Sequence, residues 1–131
     1  MRVTADTNVL VRAVVADNAK QAKIAQNELA RADLVAITLP TLCEFVWVLA
    51  QGYKVAVVEI GRAVRVLIGS ANVVVDRPAV EAGLAILDAG GDFADGVIAF
   101  QGRGLGGDTF VSFDREAVRL LELGGLQARL L

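Results

Sequence analysis

Val3-Thr4-Ala5-Asp6-Thr7-Asn8-Val9-Leu10 opens as a short β-branched, apolar run, stops on a carboxylate and continues in residues with helical periodicity. Three more runs of this kind follow. Strands are expected at Val3–Asp6, Leu34–Thr38, Asn72–Val75 and Thr109–Ser112, each bounded by turn or charge signals. Between them the period changes to helical. Ile60, Val64, Leu67 and Ile68 fall at i, i+4, i+7 and i+8, with Arg62 and Arg65 off the stripe. Val80, Leu84 and Leu87 repeat the pattern after Asp76 and Pro78, which mark a helix start. Helices are also expected over Asn8–Ala16, Lys20–Arg31, Pro40–Ala50, Asp95 to about Arg103, and about Arg115 to Leu123. Strands separated by one or two helices imply right-handed crossovers and a mainly parallel sheet covered on both faces. The fold class is α/β: one domain, 1–131, with about four or five short strands in a central sheet.

The composition agrees. A chain of 131 residues, 55% hydrophobic and 21% charged, can bury a core and is neither disordered nor fibrous. Its longest charge-free stretches, Leu34–Cys43 and Val66–Val75, are ten residues each, about half a membrane span. The opening Met1-Arg2-Val3 reaches an aspartate at once, unlike a signal peptide. One cysteine, Cys43, forms no internal disulfide and suits a reducing, cytoplasmic setting. Without histidine, His-based triads and His-ligated zinc are excluded. A net charge of −2 argues against binding nucleic acid by bulk charge alone.

Four acids stand in apolar company: Asp6, Glu44 in Leu42-Cys43-Glu44-Phe45, Asp95 in Phe93-Ala94-Asp95-Gly96-Val97, and Asp114 after Ser112-Phe113. Each has a structural explanation. Thr41 to Glu44 fits a capping box, Asp92 and Asp95 suit a helix start, and Asp6 and Asp114 suit N-caps. Taken together they carry more. Strand ends and the following helix starts lie along one edge of an open parallel sheet, so the fold would gather these acids there. Carboxylates sharing an apolar pocket repel one another and are costly to desolvate. No Lys or Arg lies within four positions of Glu44. A divalent cation is the natural counterion, and all-oxygen ligation favours Mg²⁺ or Mn²⁺.

Asp6-Thr7-Asn8-Val9-Leu10, Glu44-Phe45-Val46-Trp47-Val48-Leu49, Asp92-Phe93-Ala94-Asp95 and Ser112-Phe113-Asp114-Arg115 together resemble the PIN-domain family, most closely its VapC-type toxins. The resemblance implies a Mg²⁺- or Mn²⁺-dependent endoribonuclease, a homodimer, and a cognate VapB-like antitoxin. By position it makes Asp6, Glu44 and Asp95 the three family acids and Asp114 the fourth, more variable one. Asp6 and Asp95 would be the main ligands. Asn8 resembles the polar residue after the first aspartate, and Ser112 stands where threonine is more usual. Gly96 replaces a common alanine, which is expected to loosen the helix start.

Gly102-Arg103-Gly104-Leu105-Gly106-Gly107 matches a dinucleotide fingerprint literally, but it ends a helix and precedes a strand. The reverse order is required, so it reads as a helix stop and turn. Cys43 and Trp47 read as core residues. Two rival functions stand beside the nuclease. A haloacid dehalogenase-like phosphohydrolase also opens with a post-strand aspartate, but it wants a second aspartate at Asn8 and a lysine nearby. A PIN-fold binding module without catalysis would have no need of four mutually repelling acids.

Overall fold

The β-branched pair around Val3 and the run Leu34-Val35-Ala36 form strands because both are short, apolar and flanked by residues that end them. The computed structural model describes residues 1–131. Five strands form: β1 (Arg2–Thr4), β2 (Leu34–Ala36), β3 (Val73–Val74), β4 (Phe110–Ser112) and β5 (Ala128–Leu130). Seven α-helices lie between them: α1 (Thr7–Val14), α2 (Ala19–Arg31), α3 (Leu39–Trp47), α4 (Val57–Gly69), α5 (Arg77–Asp88), α6 (Phe93–Gly104) and α7 (Arg115–Leu123). This is the expected α/β class. The chain divides into two compact units, Met1–Asp76 and Arg77–Leu131.

In the first unit β1, β2 and β3 are hydrogen-bonded in that order, both pairs parallel, with Val3 opposite Val35 and Val35 opposite Val73. Parallel neighbours need long crossovers, and the helix pairs α1–α2 and α3–α4 supply them. Leu10, Val35, Leu42, Phe45, Ile60 and Val64 are wholly buried and form the core of this unit. Thr38 caps α3 by accepting from the Thr41 amide at 3.4 Å, and Pro40 follows in the first turn. The helix expected to run to Ala50 leaves α geometry at Trp47 and widens into a π-helical turn over Val48–Gly52. Periodicity alone does not distinguish the two.

In the second unit β4 and β5 pair in parallel, joined through α7. Ile86, Ala99, Leu120 and Leu121 form its core, with Phe110, Leu126 and Ala128 packed against them. The expected central sheet is thus hydrogen-bonded as a three-stranded and a two-stranded sheet. Helices α5 and α6 pack closely, and two glycines permit it. A Cβ on Gly83 would meet the Phe93 ring at 2.7 Å. One on Gly96 would stand 2.9 Å from the Gly83 Cα and from the Ala82 carbonyl carbon, nearer still to the carbonyl oxygen. Gly96 therefore lets the start of α6 lie against the α5 backbone, a role that its helix propensity alone does not suggest.

The glycine-rich stretch behaves as a stop. Helix α6 ends at Gly104, Gly106 takes φ +102°, and the Gly107 amide donates back to the Gly102 carbonyl at 2.8 Å.

Candidate active site

Three of the four acids do double duty with their local helices or stand free of them. Asp6 follows β1 and is the N-cap of α1, one carboxylate oxygen accepting from the Thr7 amide at 2.8 Å. Asp114 follows β4 and is the N-cap of α7, its Oδ1 accepting from the Glu116 and Ala117 amides at 3.0 and 3.1 Å. Both carboxylates spend Oδ1 on the cap and leave Oδ2 unoccupied. The capping and ligand readings of these two residues are therefore compatible. Glu44 sits in the middle of α3 and takes no part in a cap: the Thr38 cap replaces the expected Thr41–Glu44 box.

Asp6, Glu44 and Asp114 are exposed, not embedded in apolar surroundings as their sequence neighbours suggest. Successive residues on a helix point about 100° apart, so Glu44 faces water while Leu42 and Phe45 are wholly buried. The same geometry turns Trp47 outward, 62% exposed, against its expected place in the core. Cys43 is half-buried rather than buried and forms no disulfide.

Asp95 is different. It lies in the first turn of α6, after the Asp92 cap, whose side chain accepts from the Ala94 amide at 3.1 Å. Phe93 and Val97, two residues away on either side, are buried. Asp95 is half-buried, and burial pushes its carboxyl above the ordinary aspartate range. The negative charges of Asp92 and Asp114 raise it further. The next residue, Gly96, lies in the close contact between α5 and α6.

Among the expected site residues, the second unit thus brings Asp95 and Asp114 within electrostatic reach of each other, with Asp92 as a third charge. Asp6 and Glu44 belong to the first unit, Asp6 capping α1 and Glu44 on the neighbouring helix α3. No three carboxylates stand at metal-holding distances from one another. Asn8 is exposed on α1 and lines an open groove of about 640 Å³ between α1 and α2, with Val9, Arg12, Ile24 and Glu28. Ser112 acts on Asp114: its Oγ accepts from the Asp114 amide at 3.0 Å and fixes the turn into α7. Sequence reading found Ser112 but not this task.

The donor set suits a hard divalent cation. Every candidate ligand is a carboxylate or neutral oxygen, and Asp95 carries a charge its surroundings disfavour and a cation would stabilise. No helix is long and apolar enough to cross a membrane. A family model described as the PIN domain matches residues 3–122. No curated protein matches the sequence.

Proposed function

The chain belongs to the PIN domain family, whose members are generally metal-dependent nucleases, and from that premise we propose that it is a Mg²⁺- or Mn²⁺-dependent endoribonuclease. The observation that carries this reading is Asp95, a half-buried carboxylate within electrostatic reach of two further acids. Such an arrangement works against the folded protein unless a cation compensates it. The family match sets the haloacid dehalogenase alternative aside.

We assign metal binding residue by residue to the family's acids: Asp6 and Glu44 in residues 1–76, Asp95 and Asp114 in residues 77–131. The family model runs through both stretches, and residues 1–131 act as one PIN domain in this reading. A bound divalent cation would supply positive charge for the phosphodiester and a more acidic water. The chain's own residues prepare for it. The Thr7 amide orients Asp6, and the Glu116 and Ala117 amides orient Asp114, and each carboxylate keeps one oxygen able to bind a cation. Ser112 holds the Asp114 backbone, and Asn8 offers an amide that can donate to a phosphate oxygen or a water. Asp95 is kept ionisable but poorly solvated, so binding a cation relieves more strain there than at the exposed acids.

The finer reading is a VapC-type toxin of a toxin–antitoxin pair: a cytoplasmic homodimer inhibited by a VapB-like antitoxin. Its support is the likeness of the four motifs in order. Incubating the purified protein with total RNA and Mn²⁺, with and without EDTA, tests the nuclease. Metal-dependent fragments are expected, and intact RNA in both tubes would favour the binding module. Co-expression with the product of a small adjoining gene, followed by loss of cleavage, tests the antitoxin.

A further inference from the structure

Phe113 is 82% exposed, more than any other aromatic residue in the chain. A lone apolar side chain on a surface needs no explanation. This one is set apart by what holds it. On its N-terminal side, the Ser112 carbonyl accepts from the Leu131 amide at 2.9 Å, tying the end of β4 to β5. The Ser112 hydroxyl reaches across Phe113 to accept from the Asp114 amide at 3.0 Å. On its C-terminal side, the Asp114 carboxylate is bonded to two amides of α7. The ring therefore projects into water from a turn pinned on both sides, one residue from an acid within electrostatic reach of Asp95. Exposed Arg115 follows directly, a cation suited to a phosphate.

Resting on the nuclease reading above, we infer that Phe113 is a stacking platform for an unpaired RNA base beside the phosphodiester that is cut. An aromatic face accepts any base that is free of its helix, whereas paired bases are hidden in the stack. The base is then held by stacking rather than by bulk charge. That suits a chain of net charge −2, which has no general attraction for nucleic acid. A preordered ring also loses little conformational freedom on binding.

The test uses the full chain with Mn²⁺ and a single-stranded RNA oligonucleotide that it cleaves, compared with the same sequence in a duplex. Phe113→Ala should raise KM about 10-fold or more, in the range of one base–aromatic stack, with kcat within about twofold. Phe113→Trp should restore KM, and Phe113→Leu, apolar but without a π face, should not. The Phe113→Trp protein should also lose fluorescence on adding the single strand without metal, beyond any change in wild type from Trp47. Wild-type KM in Phe113→Ala, or equal rescue by leucine, would overturn the inference. So would a Phe113→Ala protein that keeps its KM but loses self-association, which would make the ring a protein contact. If wild type cleaves no RNA, the nuclease reading fails by itself. The fluorescence arm still decides the stacking: quenching supports it, and no quenching refutes it.

Discussion

Replacing Gly96 by alanine is expected to separate two helices and disturb Asp95 without touching a charged group. The added Cβ would stand 2.9 Å from the Gly83 Cα and the Ala82 carbonyl carbon, where carbon contacts settle at about 3.5–4.0 Å. The helices must part by roughly 0.6–1 Å at that point. The obstacle is main chain, which cannot swing aside as a side-chain tip can. Overpacking of this kind costs about 1–3 kcal/mol, and a backbone obstacle belongs in the upper half of that range. Alanine returns up to about 1 kcal/mol of helix propensity, leaving a net loss of ~1–2 kcal/mol. Gly102, on the same helix, is the control. A Cβ there meets nothing within 4 Å, so Gly102→Ala should gain up to about 1 kcal/mol. Urea midpoints for the two variants should therefore fall on opposite sides of wild type, with unfolding free energies ~2–3 kcal/mol apart. Equal midpoints, or a stabilised Gly96→Ala, would refute the claim that Gly96 lets the α5 and α6 backbones meet.

The Asp95 carboxyl, followed by NMR from pH 3 to 8, should titrate above the usual aspartate value, and Asp92→Asn and Asp114→Asn should each lower it. A folded pKa raised above the unfolded one means that the folded state holds its proton longer, so apo stability falls as pH rises through that interval. Asp95→Asn should abolish this slope and leave the apo protein at least as stable at pH 7; a stability loss would deny the repulsion. Asp114→Ala, which strips a cap serving two amides, should cost ~1 kcal/mol, and Asp114→Asn little, as chemical denaturation will measure. Millimolar Mn²⁺ should raise the melting temperature, since ion at ~100 times its Kd adds about 2.7 kcal/mol. An unchanged melt would count against a metal site.

The seven helices were readable because each has an apolar stripe or a cap, and α7 begins and ends where its periodicity does. Strand β5 was not. Ala128-Arg129-Leu130 is three residues with a charge in the middle, and only its pairing with β4 makes it a strand. The division of the strands into two sheets is likewise a matter of hydrogen bonding that no local pattern carries. For the site, the residue types and their place at helix starts were legible at Asp6, Asp92 and Asp114, whose caps follow from local sequence. Burial was not. Apolar neighbours in sequence surround Glu44 and Asp95 alike, yet only Asp95 is drawn in. Burial is tertiary, and the one local trace of the close α5–α6 packing is Gly96, which by propensity alone reads as a weak helix start.

Asp95 and Asp92 differ by one helical turn and by one task, and comparing them tests the metal-dependent nuclease directly. RNA cleavage should be timed in Mn²⁺ for wild type, Asp95→Asn and Asp92→Asn. Asparagine caps α6 about as well as aspartate, so Asp92→Asn should keep most activity. Asp95→Asn should fold and lose at least ~100-fold in rate, about 2.7 kcal/mol of transition-state stabilisation. An Asp95→Asn protein that cleaves at the wild-type rate, or wild-type cleavage untouched by EDTA, would contradict the account.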